Sequence, residues 1–309
     1  MTIEILQTQR LLHICEEMLA ERFVVHKLFE AEDKPAFLAQ VAPRVRAIAG
    51  GQANAALMAA LPGLEIISGF GVGYDTIDVD AARKAKVRVT NTPDVLNDAV
   101  AELTIGLMIA LARRIPQADR FVREGKWLAG GFPLQTELTG KTVGIVGLGR
   151  IGKEVASRAQ GLKMRVVYQG RNRQPKEPHV YYDDVVAMAR DVDVLVVLAP
   201  GGAETQGMIS RQVLEALGPQ GMLISISRGT LVDEAALVEL LVSGGLGAAA
   251  LDVFEKEPHV PQALVGLDNV VLSPHLGSAT HTTRRAMCEL LVANLDAHFA
   301  GRPLPSAVV

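Results

Sequence analysis

The stretch "TVGIVGLGRIGKEVASRA", residues 142–159, limits the possible folds more than any other in the chain. An apolar run, Thr142–Val146, meets three glycines at Gly147, Gly149 and Gly152, and a helical pattern over Ile151–Gly161 follows at once. A G-x-G-x-x-G set alone is weak, because glycine clusters occur in many loops. With a strand before it, a helix after it and a second strand at Arg165–Tyr168, it becomes the signature of a βαβ dinucleotide site. The first glycine permits the tight turn, the second admits a pyrophosphate to the backbone, and the third lets helix pack on strand. The helix N-terminus, at Arg150 and Ile151, then faces the phosphates. The alternative is a purely structural βα turn.

About twenty residues after such a turn, a site for NAD places an acid that accepts hydrogen bonds from the ribose hydroxyls. Here the second strand runs into "QGRNR", and no Asp or Glu stands between Glu154 and Glu177, whereas six Lys or Arg do. An acid there would repel a 2′-phosphate. Its absence, with Arg171 and Arg173 as forked donors, Asn172 between them and Gly170 leaving room, points to NADP(H). A solvated basic loop is the alternative.

Elsewhere, short apolar runs alternate with helical patterns. Strands are expected at Glu4–Leu6, Phe23–Leu28, Val45–Ile48, Glu65–Ser68, Val87–Thr90, Thr142–Val146, Arg165–Tyr168, Val194–Leu198, Met222–Ser225, Gly247–Leu251 and Val270–Leu272. Helical spacing appears at Tyr182–Ala189, Arg211–Ala216 and Glu234–Ser243, and through a long stretch, Asp94–Glu124, for which Pro93 and Asp94 look like the start. This alternation predicts doubly wound parallel sheets, and runs such as "VDVLVVLAP" fit strands covered on both faces. A domain boundary is expected near Val95, and the final segment, Thr280–Ala300, reads as a helix.

The chain's 309 residues suffice for two domains with real cores, and a net charge of -3 gives no reason to expect a nucleic-acid or membrane partner. Cys15 and Cys288 stand far apart with no CxxC or Cys/His clustering. That argues against a disulfide framework or a metal site and suits a reducing compartment. The first residues carry no basic-then-apolar signal pattern, and Leu103–Ala112 is too short to span a bilayer. A cytoplasmic protein is expected.

Polar residues collect where the later strands end. Arg228 follows Met222–Ser225, Asp252 ends Gly247–Leu251, Glu257 follows in a loop, and His275 follows Val270–Leu272. Carboxyl ends of strands form the ligand crevice of an open α/β sheet. One Arg, two carboxylates and one His there suit reduction of a keto acid. The Arg pairs with a carboxylate and polarises a carbonyl, while the His donates a proton with its tautomer held by a carboxylate. Taken singly, Arg228 capping a helix or pairing with Asp233, a structural His275 and a solvated Glu257 are the alternatives.

With "GFGVGYDTIDV", "NTPDVLNDAVAELTIGLMIA", "LTGKTVGIVGLGRIG", "SRGTLVDEAAL", "LDVFEKEP" and "SPHLGSAT", the chain resembles the D-isomer-specific 2-hydroxyacid dehydrogenase family over essentially its whole length. Within that family, "YQGRNR" and the C-terminal "NLDAHFAGRPLPSAVV" resemble NADPH-preferring glyoxylate, hydroxypyruvate and hydroxyphenylpyruvate reductases.

The resemblance implies an α/β fold of two Rossmann-like doubly wound parallel-sheet domains, with the cofactor domain inserted in the substrate domain. The substrate (lid) domain would be 1–95, completed by 283–309, and the NADP-binding domain 96–282. The two would close around a cleft. It further implies that Arg228 binds substrate, His275 protonates the keto oxygen, Glu257 pairs with His275 and Asp252 meets the nicotinamide side of the cofactor. The amides of Val72 and Gly73 would receive the substrate carboxylate, and Pro200 and Thr205 would lie near the cofactor. A homodimer would form through the Leu103–Ala112 helix, with Trp127 and Leu128 lining a partner's pocket. Ser225 stands where the family often has Asn.

The expected activity is NADPH-dependent reduction of small 2-keto acids to D-2-hydroxy acids. The alternatives are an aryl-pyruvate (hydroxyphenylpyruvate) reductase and a non-catalytic NADPH-sensing binding protein or corepressor, since fold does not fix function.

Overall fold

The computed structural model describes residues 2–309, which divide into two compact units. One runs to Leu96 and takes in Thr280–Val309; the other is Asn97–Ala279. The second crossing lies between Ala279 and Thr280 rather than at 282–283, because Thr280 is the N-cap of the last helix, His281–Phe299, accepting a hydrogen bond from Thr283 N.

The first unit holds strands β1 (Glu4–Gln7), β2 (Val24–Lys27), β3 (Val45–Ala49), β4 (Ile66–Ser68) and β5 (Arg88–Thr90), all parallel in the order β2-β1-β3-β4-β5. Successive strand residues face opposite sides of the sheet, so each face needs its own cover. Leu6, Ile48 and Ile67 pack in one cluster with Val41 and Val89. Ile5, Ala47 and Ile66 pack in another with Cys15, Leu19, Cys288, Leu291 and Leu295. The last helix returns to this unit because its apolar side completes that second cluster, and Ser68 Oγ donates to Leu291 O at 3.0 Å. Cys15 and Cys288, remote in sequence, are both fully buried there as free thiols.

The second unit holds β6 (Thr142–Val146), β7 (Arg165–Gln169), β8 (Val180–Tyr182), β9 (Val194–Val197), β10 (Met222–Ser225), β11 (Ala248–Leu251) and β12 (Val270–Leu272). They are parallel in the order β12-β11-β10-β9-β6-β7-β8. The central strands β6, β9 and β10 are buried along their whole length, as continuous apolar runs require. Strand order reverses between β6 and β9, so the crevice for a ligand opens at the carboxyl ends of these strands. Two doubly wound parallel sheets are therefore present, as expected.

Four expectations need correction. Strand β8 was not foreseen: it is an edge strand of three residues with an exposed Val180, too short to alternate legibly. The helix expected from Tyr182 starts at Val185, where the Asp184 carboxylate accepts from Val186 N and Ala187 N. The long helical stretch is two helices, Asn97–Ala112 and Ile115–Arg123. They break at Arg114, whose φ is 48°, and Pro116 has no N–H with which to continue the first helix. Asp94, with φ 70°, lies before the helix and does not start it. Among the described residues no helix is long and apolar enough to cross a membrane.

Candidate active site

The glycine turn follows β6 in the second unit. Gly147 has φ 98°, and a Cβ there would lie 2.7 Å from Ala199 N in the segment after β9. A Cβ on Gly152 would overlap the Gly147 carbonyl oxygen, so the helix packs on the turn only without one. Gly149 differs: its φ is −81° and a Cβ would meet nothing within 4 Å. Nothing inside the chain demands glycine there, whereas a phosphate approaching the backbone does. Helix Arg150–Gly161 has no side-chain N-cap, and a helix N-terminus of this kind suits an anion. Arg150 and Ile151 occupy its first positions. The residues present fit a dinucleotide.

After β7, Gly170, Arg171, Asn172 and Arg173 form an exposed loop, apart from a half-buried Gly170 whose absent Cβ would meet nothing within 4 Å. A cavity of about 410 Å³ is lined by Lys153, Arg173, Gln174, Pro175, Lys176 and Glu177. Its one acid, Glu177, is engaged by Lys153 at 2.7 Å. The segment after β9 carries Pro200 and Thr205, and the Thr205 hydroxyl lies 2.7 Å from the Pro200 carbonyl oxygen, to which it donates. That bond shapes the loop facing the switch point.

Arg228, Asp252, Glu257 and His275 sit in the loops after β10, β11 and β12, three adjacent strands. Glu257 Oε2 lies 2.8 Å from His275 Nδ1, and Glu257 Oε1 accepts from Phe254 N at 3.2 Å. The carboxylate is thus fixed at both ends. An ionised carboxylate only accepts, so Nδ1 carries the proton towards it and Nε2 is the atom left for substrate. Arg228 is half-buried; its Nη1 donates to Ser227 O at 2.8 Å. Asp233 caps helix Glu234–Ser243 by accepting from Ala236 N at 3.0 Å, which gives that carboxylate its own task.

Asp252 is fully buried. Its Oδ1 accepts from Ser273 Oγ at 2.6 Å and Leu276 N at 2.7 Å, its Oδ2 from Gly277 N at 2.9 Å, and its carbonyl from His275 N at 2.9 Å. The charge is matched by three donors, as burial demands. Those bonds hold His275 at φ 53°, a left-handed conformation that a non-glycine residue keeps only when its surroundings impose it. Asp252 was expected at the nicotinamide side of a cofactor; what the geometry displays is a clamp on the loop bearing His275. Gly229 ties the Arg228 loop into the same assembly, since a Cβ on it would collide with the Phe254 backbone. Ser225 is buried with no hydrogen bond to its hydroxyl among the described residues, while its carbonyl accepts from Asp252 N at 2.9 Å. Backbone, not the Ser225 side chain, joins these two strand ends.

Val72 and Gly73 lie in the first unit, after β4. Thr92 Oγ1 accepts from Gly71 N at 3.0 Å and Asn91 Nδ2 donates to Val72 O at 2.8 Å, so the turn is held by the amide of Gly71 and the carbonyl of Val72. Among the described residues the amides of Val72 and Gly73 make no backbone hydrogen bond.

Sequence reasoning missed the supporting residues: Gly229, the clamping role of Asp252, and Asn91 and Thr92 beneath the Val72 turn. "SRG" offered a signal for Gly229, because a glycine directly after a candidate functional Arg suggests close backbone approach. The partners of Asp252 and Val72 lie 19 to 25 positions away and left no local trace.

A model of the D-isomer specific 2-hydroxyacid dehydrogenase, NAD binding domain, matches residues 105–277. Hydroxyphenylpyruvate reductase of Plectranthus scutellarioides is 50% identical over 300 residues, 95% of each chain. Glyoxylate/hydroxypyruvate reductase A of Arabidopsis thaliana is 48% identical over 297 residues, again 95% of each. Among solved structures, an NADPH-dependent glyoxylate/hydroxypyruvate reductase of Sinorhizobium meliloti in complex with NADP and malonate superposes with a TM-score of 0.93 at 40% identity, covering 100% of this chain and 97% of that one.

Proposed function

The chain belongs to the D-isomer-specific 2-hydroxyacid dehydrogenase family, and on that premise we propose that it reduces small 2-keto acids, glyoxylate and hydroxypyruvate, to D-2-hydroxy acids with NADPH. The observation that carries the chemistry is the His275–Glu257 contact, in a cluster of strand-end loops that also carries Arg228 and adjoins a dinucleotide turn.

NADPH, when bound, supplies a hydride for C2 of the keto acid. Arg228 pairs with the substrate and draws charge onto the keto oxygen. His275 gives that oxygen a proton from Nε2, so the carbonyl gains one hydride and one proton and becomes a hydroxyl. Glu257 holds the imidazole by Nδ1, which fixes the ring with Nε2 towards the substrate. Asp252 keeps the His275 loop in place. The Val72 and Gly73 amides are the proposed receivers of the substrate carboxylate. A bulkier aryl pyruvate is the second reading, favoured by the 50% identity to the Plectranthus reductase.

The choice of NADPH over NADH rests on Arg171 and Arg173 standing where an acid would repel a 2′-phosphate. Charge-assisted hydrogen bonds to two guanidiniums are lost together in the Arg171→Ala/Arg173→Ala variant. Its KM for NADPH is expected to rise about a hundredfold while that for NADH moves less than threefold. Steady-state kinetics with both cofactors checks this, and equal changes would assign the loop to the solvent.

A homodimer is also proposed. In helix Asn97–Ala112 one face is buried by Leu107, Met108 and Leu111, while Leu103, Ile105 and Ile109 remain partly exposed. Beyond it Trp127, Leu128 and Leu134 are 66%, 96% and 101% exposed, a run of apolar surface suited to a second copy. The two buried, free cysteines support a reducing compartment such as the cytoplasm.

A further inference from the structure

We propose that Gln174 is a positioning residue for cofactor selection, holding loop 170–177 so that Arg171 and Arg173 stand ready for a ribose phosphomonoester. This rests on the NADPH reading above. An exposed loop with two arginines would ordinarily be ordered by its ligand, at an entropic cost that subtracts from affinity. This loop is tied down by the chain's own hydrogen bonds.

Gln174 makes two of the ties. Its backbone N–H donates to the Tyr168 hydroxyl at 2.7 Å, and its side-chain Nε2 donates to Leu148 O at 2.7 Å. Leu148 lies between Gly147 and Gly149, so the side chain bolts the basic loop directly to the phosphate turn. Tyr168 is 1% exposed in β7, its ring packed on Tyr181 with centroids 5.3 Å apart. A buried phenol needs a partner for its oxygen, and the Gln174 amide is that partner.

The loop's two ends are held as well. Tyr181 donates its hydroxyl to Gly170 O at 3.1 Å, and Lys153 pairs with Glu177 at 2.7 Å. None of these bonds uses Arg171 or Arg173, and among the described residues neither guanidinium makes a hydrogen bond or ion pair. The framework is fixed and the two cations are left for the ligand. Gln174 differs from the ties at the loop's two ends because it bonds to both β7 and the glycine turn.

The test is calorimetric binding of NADPH, NADH and adenosine 2′,5′-bisphosphate to Gln174→Met, to Arg171→Ala/Arg173→Ala and to the triple variant. Methionine keeps the length of glutamine and removes the donor. Gln174→Met is expected to weaken NADPH and the bisphosphate about five- to tenfold and to leave NADH unchanged. In the background lacking both arginines it should change nothing further, because there is no receptor left to position. Unchanged NADPH and bisphosphate affinity in Gln174→Met, with the arginine variant impaired, overturns the inference and leaves the NADPH reading standing. Equal weakening of NADH overturns it too, since the residue would then be merely structural. NADPH affinity retained without the arginines would remove the NADPH reading itself and this inference with it. Tyr168→Phe, which removes only the oxygen accepting the Gln174 amide, is expected to reproduce the selective loss in part. It serves as the deciding variant if Gln174→Met does not fold.

Discussion

Replacing His275 by Asn is expected to lower kcat for keto-acid reduction by about 10²- to 10⁴-fold, the range a positioned general acid supplies. The substitution removes the group that protonates the keto oxygen but touches neither the glycine turn nor the basic loop, so NADPH affinity should stay within twofold. Glu257→Gln should share much of that loss, because an amide still fills the space 2.8 Å from His275 Nδ1 but can turn its NH2 group to the ring and no longer fixes the tautomer. Combined, the two changes should cost little more than His275→Asn alone, since residues acting as a unit do not add. Turnover in the His275 variant within a few-fold of the original would place the proton donor elsewhere.

A second large loss is expected from a single methyl group. Gly229→Ala would drive its Cβ into the carbonyl carbon and oxygen of Phe254 and the nitrogen of Glu255. Those neighbours are backbone and cannot rotate away, so one of the two loops must shift. Overpacking of this kind costs roughly 1–3 kcal/mol in stability. The larger consequence is catalytic. Arg228 immediately precedes Gly229, and Glu257 Oε1 is held by the amide of Phe254. Displacement of either by about an ångström lowers turnover on the order of a hundredfold. Gly266→Ala is the control, because a Cβ there meets nothing within 4 Å. The expected result is a near-normal Gly266 variant beside a Gly229 variant with kcat/KM reduced about a hundredfold and a thermal midpoint lowered by several degrees. Normal kinetics in the Gly229 variant would mean that the two loops are not mechanically joined.

Much of this was legible in the sequence because its signals are local. The glycine turn, the missing acid after Tyr168 and the alternation of strand and helix each occupy a few consecutive residues. A polar residue at a strand's end announces itself by position, which is how Arg228, Asp252 and His275 became candidates, with Glu257 in the loop that follows Asp252. What remained hidden depends on contacts between segments remote along the chain. Asp252 gives no sign in "AALDVFEKEP" that it receives amides from Leu276 and Gly277. Gln174 reads as one more polar residue of a basic loop until Leu148 is found beside it. Strand β8 is too short for its period to show, and the break at Arg114 was masked by apolar spacing that continues through two helices. The return of the last helix followed from the family resemblance and not from local pattern, since its physical reason is Leu291 and Leu295 completing one face of the first sheet.

The most direct measurement is loss of NADPH absorbance by the purified protein with glyoxylate, hydroxypyruvate, pyruvate, phenylpyruvate and hydroxyphenylpyruvate, each repeated with NADH. Rapid turnover is expected, fastest on glyoxylate or hydroxypyruvate and strongly selective for NADPH, and lowered about 10²- to 10⁴-fold in His275→Asn. Tight NADPH binding without reduction of any of these acids would contradict it and identify a cofactor-sensing protein built on the same fold.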